Sequence, residues 1–146
     1  MSVRGIRSGF TLIEVLIVVV ILAVLAATII PQFTDATDDA QESVLLTNLN
    51  VMRTQIQHYR ANHGGLAPSG DLSELLKATH LDGSDGGTWG PYLQFIPKNN
   101  ITDSSAVKTI VAIDATPGDL TPGGGGWIYS TTSSKFWVDH PDYFDR

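Results

Sequence analysis

Apolar residues are concentrated in one block near the N-terminus, whereas the rest of the chain mixes apolar and polar positions. The block runs from Phe10 to Ile30, stops at Pro31 and contains one ionisable residue, Glu14. Its 21 residues, at about 1.5 Å of rise each, would make a helix of about 30 Å, which is the thickness of one bilayer core. The pattern therefore predicts that residues 10–30 form a transmembrane helix.

A second apolar pattern follows Pro31 and has helical periodicity. Its members recur at spacings of 4, 3, 4 and 3, and they are Leu45, Leu49, Met52, Ile56 and Tyr59. Arg60 and then Asn62-His63-Gly64-Gly65 form a helix stop signal. Because a proline removes only one helical hydrogen bond, we expect one helix from Phe10 to about residue 62, kinked near Pro31, whose second half packs on a sheet.

The C-terminal half contains signals for short elements. Residues 71–77 suggest a short helix with Leu72, Leu75 and Leu76 turned inward. Residues 106–115 alternate as a strand, with Val107, Thr109, Val111 and Ile113 on one side. Residues 127–129 and 135–139 indicate a hairpin. The predicted fold class is α+β, with one long N-terminal helix packed on a small antiparallel sheet.

Charge at the two ends of the apolar block predicts its orientation. Arg4 and Arg7 precede it and no basic cluster follows, so residues 1–9 should lie in the cytoplasm and the remainder outside. A secretory signal peptide is one alternative, but the block is longer than such a segment. A simple signal anchor is another. Neither alternative explains Glu14.

Glu14 is costly inside an apolar block, since a carboxylate in a membrane needs a partner. It lies near the predicted start of the helix, where the helix dipole favours an anion. Cleavage after Gly9 would create an α-amino group on Phe10 at a similar depth. The pair would meet within one chain at i,i+4 spacing, or between two chains, where it would set the axial register.

The segment Gly9-Phe10-Thr11-Leu12-Ile13-Glu14, followed by an apolar helix, resembles the processing and assembly motif of type IV prepilins and pseudopilins. The resemblance implies that a prepilin peptidase cuts after Gly9 and N-methylates Phe10, and that Glu14 serves subunit recognition during assembly. It also implies three regions. These are a prepilin leader at 1–9, a transmembrane assembly helix at 10–30 and a periplasmic pilin-like domain at 31–146.

Within that class, three stretches resemble the G-type major pseudopilin of type II secretion, and they are residues 56–68, 90–97 and 126–129. The absence of cysteine is also consistent with this type of pseudopilin. This resemblance implies a single-pass inner-membrane subunit of a periplasmic filament that drives protein export. Its implied partners are the peptidase, other copies, minor pseudopilins and the inner-membrane assembly platform. The alternatives are a type IV pilin of a surface fibre for adhesion, motility or DNA uptake, and an anchored ligand-binding or enzymatic domain.

Charge and motif content make nucleic-acid binding, phosphate binding and catalysis unexpected for this chain. The formal net charge is −6, and loss of Arg4 and Arg7 would leave seven basic residues against fifteen acidic ones. Nucleic acid is not expected as a partner, because phosphate binding needs clustered cations. The glycines at 123–126 precede a strand and indicate a turn instead of a phosphate loop. His58 and His63 do not share a helix face, so both should be surface residues. The sequence contains no nucleophile motif that would indicate an enzyme.

Two acidic groups raise the question of metal binding. Asp35, Asp38, Asp39 and Glu42 are expected to form a solvated helix face, with a metal site or a subunit contact as alternatives. Pseudopilins of the resembled kind often hold calcium in a C-terminal acidic loop. The acidic residues of that region here lack a compact Asp-x-Asp-x-Asp pattern, and they are Asp114, Asp119, Asp139, Asp142 and Asp145. Calcium stays an open alternative, with no ligand assigned and no other cofactor expected.

Overall fold

The structure is a computed structural model that describes residues 9–146. The predictions for Arg4 and Arg7 therefore lie outside the described residues. The chain divides into two compact units, residues 1–40 and residues 41–146. One helix, α1 (Leu12–Asn62), contributes to both units.

The first unit contains the apolar part of α1. Residues Leu12–Ile30 are long and apolar enough to cross a membrane, judged by length and composition alone, and none of them is buried inside the protein. Leu12 and Ile13 are examples of this exposure, at 85% and 62%. The helix continues through Pro31, while the kink there stays a prediction. This unit thus presents an apolar helical surface that its own chain does not cover.

The second unit is built on the other end of α1. All five members of the helical stripe are buried, as the periodicity predicts, and they are Leu45, Leu49, Met52, Ile56 and Tyr59. They pack with side chains of two strands, β2 (Trp127–Ser130) and β3 (Phe136–Val138). Leu72 and Leu75 close the same core. The helix-on-sheet packing of the α+β class is therefore confirmed.

The sheet has three strands in the order β1-β2-β3, with β1 at Val107–Ile110. β2 and β3 form the predicted antiparallel hairpin, with Ile128 opposite Trp137. β1 pairs with β2 in parallel, with Val107 beside Trp127, so the sheet is mixed and not wholly antiparallel. The reason is the connection at 111–126, which is long enough for a crossover.

The predicted strand at 106–115 is shorter than expected. It ends at Ile110, which is buried and packs with Ile128 and Phe144 on the face of the sheet away from the main core. Val107, on the predicted side, packs against the main core. Val111 and Ile113 lie beyond the last paired residue and are exposed at 80% and 64%, so the alternation in the sequence continues past the end of the strand.

The segment before the sheet is held by local polar contacts. The predicted short helix is a single 3-10 turn at Ser73–Leu76. Leu76 is 38% exposed and not inward as expected. Asp71 accepts hydrogen bonds from the Ser69 hydroxyl (2.7 Å) and the Ser73 backbone N–H (3.1 Å). These bonds, that from Ser69 first, hold the pKa of Asp71 below its usual value.

Candidate functional site

Gly9 lies in open space. A Cβ added there would meet no atom within 4 Å, and Gly9 does not have the positive φ that glycine tolerates best. Nothing in the described chain therefore requires glycine at this position. If glycine is required here, the requirement comes from a binding partner, such as an enzyme that recognises this residue, and not from the described fold.

Phe10 is also exposed, at 79%. It lies outside α1, which begins two residues later at Leu12 instead of at Phe10. The bond between Gly9 and Phe10 is thus flanked by two exposed residues in non-helical backbone. Such a bond is accessible to a peptidase without unfolding of any described element.

Glu14 and Thr11 form a capping box at the start of α1. The carboxylate oxygen Oε2 of Glu14 accepts hydrogen bonds from the Thr11 backbone N–H (2.8 Å) and the Thr11 hydroxyl (2.6 Å). The Glu14 backbone N–H points back to the Thr11 hydroxyl at a longer 3.4 Å. The reciprocal pair satisfies backbone donors that a helix start leaves free.

The contact between Thr11 and Glu14 was not predicted from the sequence, although the sequence contains the pattern for it. Thr11-x-x-Glu14 has the Thr/Ser-x-x-Glu spacing of a capping box and stands just before an apolar run. The prediction instead placed the helix start at Phe10 and paired Glu14 only with the Phe10 amine. Within the single chain, the partner of Glu14 is Thr11.

The capping box leaves part of the carboxylate available. Among residues 9–146, no hydrogen bond reaches the second oxygen of Glu14, Oε1. A carboxylate accepts several bonds at once, so Oε1 can take a cationic donor from another chain while Oε2 stays bound to Thr11. Thr11 therefore fixes the position of the carboxylate and does not exclude a second partner.

The Asp35 side chain lies outside the described part of the structure, and the other acidic residues after the membrane-length segment do not gather into a cage. Asp38 and Asp39 are exposed, and no hydrogen bond or ion pair to either occurs within the described part of the chain. Glu42 pairs with Arg146, with 2.6 Å between Oε1 and Nη2. Across residues 9–146, no group of three or more His, Asp or Glu side chains is placed to hold a metal.

Three of the C-terminal acidic residues accept bonds from donors of the same chain. Asp139 is buried, and its carboxylate accepts the backbone N–H (2.8 Å) and hydroxyl (2.5 Å) of Thr121. Asp114 pairs with Lys135, and Asp119 closes a turn with Thr116. These three carboxylates do not form a group placed to hold a metal, and calcium stays an open alternative.

His58, on α1, and His63, directly after its end, differ from each other. His58 is exposed as expected, but His63 is only 1% exposed, so its assignment to the surface was wrong. Its ring stacks on Tyr59, with centroids 3.8 Å apart. Its nitrogens bond the Tyr59 carbonyl (2.7 Å) and the Thr79 hydroxyl (2.9 Å). His63 is therefore a satisfied core residue that closes the end of α1.

The tryptophans and the glycines at 123–126 contribute to packing or lie at the surface. Trp127 is buried and its indole N–H donates to the Pro97 carbonyl at 2.8 Å. Trp137 is half-buried and Trp89 is 42% exposed. A Cβ at Gly125 would lie 2.0 Å from the Asp139 carboxylate. The glycine run thus permits close packing on Asp139, and it lies in a loop before β2.

Comparisons with known proteins agree with the geometry of the N-terminal segment. Residues 4–30 match the family model described as the prokaryotic N-terminal methylation motif. The type II secretion system core protein G of Pseudomonas aeruginosa is 37% identical over 57 residues, covering 39% of this chain and 40% of that protein. The fimbrial protein of Neisseria meningitidis serogroup A is 31% identical over 77 residues, covering 53% and 45%.

A third relative extends the range of organisms. The type IV major fimbrial protein FimA of Dichelobacter nodosus is 41% identical over 54 residues, covering 37% of this chain and 35% of that protein. The chain thus spans less than half the length of the curated relatives it matches. No solved structure is a significant match to the chain.

These findings confirm the resemblance drawn from the N-terminal residues. The segment is that of type IV prepilins and pseudopilins, and the relatives include both pilins and a pseudopilin. Members of this family are structural subunits and not enzymes. The exposed apolar helix Leu12–Ile30 fits a membrane-anchored subunit of this kind.

Proposed function

We propose that this chain belongs to the type IV prepilin and pseudopilin family and is a structural subunit of a type II secretion pseudopilus. In this proposal the peptidase removes residues 1–9, Phe10 becomes the methylated N-terminus, and the mature chain resides in the inner membrane with residues 31–146 in the periplasm. Copies then leave the membrane and polymerise through their N-terminal helices to drive protein export.

One observation carries the proposal. Leu12–Ile30 is apolar and wholly exposed, and its single carboxylate lies at the helix start directly after an open Gly9–Phe10 bond. A carboxylate at the centre of a membrane helix costs about 2.5 to 3.5 kcal/mol, and a position at the helix start with two hydrogen bonds reduces that cost. A plain membrane anchor needs neither the carboxylate nor the accessible bond.

The chemistry of assembly follows from this geometry. Cleavage creates an amine on Phe10, and Oε1 of Glu14 is the oxygen that Thr11 leaves available. Between two copies, the amine of one chain would bind the carboxylate of the next in a site from which packed helices exclude water. Ion pairs strengthen where water is excluded, so the contact stabilises one axial register and disfavours others.

Loss of the carboxylate tests this proposal. Glu14→Ala is expected to leave membrane insertion and leader cleavage intact but to reduce filament yield strongly, because the Phe10 amine loses its partner. Filaments sheared or purified from cells are quantified by immunoblot against total subunit. Gly9→Val is the control for processing, and it should accumulate as the larger, uncleaved chain. Wild-type filament yield from Glu14→Ala would contradict the proposal.

A surface fibre is the second candidate function. It is favoured by the relatives named fimbrial proteins, which match 53% and 37% of this chain, against 39% for the secretion protein. Deletion of the gene separates the two candidates. Loss of exported proteins from the medium, with surface fibres unchanged, supports the pseudopilus, whereas loss of fibres with normal export supports the pilin.

A further inference from the structure

Exposed apolar side chains occur at several places in the second unit, and one group lies at an uncharged groove. Phe95 is 68% exposed, Val44 50% and Val51 39%. The groove between α1 and the segment at 92–97 has a volume of about 340 Å³, and no residue lining it is charged. We call this area the Phe95 surface. It consists of Val44, which precedes Asn48 by four residues on α1, and of the groove residues Asn48, Val51, Leu93, Gln94 and Phe95.

The Phe95 surface is held in place from both sides. Asn48 Nδ2 donates to the Lys98 carbonyl at 3.1 Å, which ties the segment to α1. The backbone N–H groups of Tyr92 and Leu93 both donate to the Leu75 carbonyl at 2.9 Å. Leu93 packs against the main core. The ring of Phe95 is therefore exposed on a supported segment, and folding of the single chain leaves it uncovered.

Two other exposed apolar groups are less suited to an apolar partner. Leu66 and Leu81 flank a depression that also contains His80 and Asp82, so a partner there would have to desolvate a charge. Val111 and Ile113 follow the end of β1 and present no aromatic ring. The Phe95 surface combines a groove, an exposed aromatic ring and the absence of charge.

Charge indicates what kind of partner fits. Every lysine and arginine in residues 9–146 already donates to a carboxylate or carbonyl of its own chain, and these residues are Arg53, Arg60, Lys77, Lys98, Lys108, Lys135 and Arg146. Asp38, Asp39 and Asp145 are exposed, with no ion pair in the described chain. Two copies therefore carry the same excess of negative charge, and an uncharged apolar area is where like-charged copies can approach with the smallest penalty.

We infer that the Phe95 surface is a contact between copies of this chain in the assembled filament, an inference that rests on the proposed function. Val44 and Val51 lie on α1, the same helix whose apolar first part would pack against other copies. They are seven residues apart, two helical turns, and so share one face of α1. The Phe95 surface adds an apolar contact from the second unit to the contact made by the membrane-length segment.

Photo-cross-linking in the intact chain tests the contact. A benzoylphenylalanine is placed at position 95 and, in a matched variant, at position 111, where Val111 is even more exposed. Irradiated cells that assemble filaments are expected to give an adduct of two copies of this chain from position 95 and none from position 111. An adduct at position 95 only with another protein, no adduct there, or equal adducts at both positions would overturn the inference.

Filament yield gives an independent readout. Phe95→Gln is expected to lower the yield about tenfold, the effect of losing the burial of one aromatic ring, while Val111→Gln leaves it unchanged. Both residues are exposed, so the melting midpoint of each variant should match wild type. If yield depends on Glu14 but not on Phe95, only this inference fails. If yield does not depend on Glu14, the proposed function itself fails.

Discussion

At the residue scale, the N-terminal segment gives each side chain a separate task. Gly9 leaves its peptide bond open, and Thr11 holds one oxygen of Glu14. In the proposed function, exposed Phe10 would supply the amine after cleavage. The second oxygen of Glu14 then faces any partner from a fixed position. Thr11 is thus a positioning residue for the carboxylate and also the cap of the helix that carries it.

Two buried tyrosines predict the alkaline limit of the fold. Burial raises the pKa of Tyr59 and of Tyr129 to about 12, and the nearby Glu74 carboxylate adds to the effect at Tyr59. An unfolded tyrosine titrates near pH 10. Because the folded pKa is the higher one, the stabilisation is complete below about pH 10 and is lost as pH rises toward 12.

The Tyr129→Phe variant checks this assignment. The melting midpoint of wild type, followed by circular dichroism, is expected to fall steeply between about pH 10 and 12. The variant lacks one of the two titrating groups, so its midpoint should fall less steeply, even though it also loses the hydrogen bond to the Pro68 carbonyl. Equal slopes for both proteins would show that Tyr129 is not held neutral by the fold.

At the element scale, α1 presents two faces in the second unit that differ in their contribution to stability. Met52→Ala removes a fully buried side chain of the stripe and should lower the free energy of unfolding by about 2–5 kcal/mol. Val51→Ala, at the neighbouring exposed position, should change it by less than about 0.5 kcal/mol. Denaturation of the detergent-solubilised chain, followed by the fluorescence of buried Trp127, compares the two. Equal losses would contradict the assignment of the faces.

The elements also show where sequence patterns were sufficient. The stripe from Leu45 to Tyr59 predicted the buried face of α1, because a helix repeats over many residues and each turn reinforces the pattern. The hairpin that pairs Tyr129 with Phe136 was predictable because its two strands are close in the sequence. The parallel pairing of β1 with β2 was not, because it depends on a long crossover and not on neighbouring residues.

Short elements and single sites were less predictable. The alternation that predicted a strand over 106–115 does not show where pairing stops, so β1 ends at Ile110 and leaves Val111 and Ile113 exposed beyond it. The burial of His63 depends on Thr79, sixteen residues later, and on Tyr59 stacking. At the N-terminus, Glu14 was found as a lone ion in an apolar block, but its Thr11 partner required attention to cap spacing.

At the scale of the whole molecule, the two units differ in how they satisfy their apolar surface. The second unit buries a core between α1 and the sheet. In the first unit, Leu12–Ile30 is covered by nothing in its own chain, so lipid or other copies must cover it. This difference is what a subunit that resides in a membrane and then enters a filament requires. In the proposed mature chain, seven basic residues stand against fifteen acidic ones, so association is assigned to apolar packing and to the amine–carboxylate pair.

The most direct test of the central claim is a zero-length cross-link between the Phe10 amine and Glu14. Filaments assembled from a mixture of nitrogen-14 and nitrogen-15 subunits are treated with a membrane-permeant carbodiimide, and the linked peptides are identified by mass spectrometry. The exposed Lys77–Asp85 pair, 2.9 Å apart, serves as the internal control for a link within one chain. We predict that Phe10–Glu14 links combine both isotope labels. Filaments in which Lys77 and Asp85 are linked, but Phe10 and Glu14 are unlinked or linked only within one label, would contradict the account.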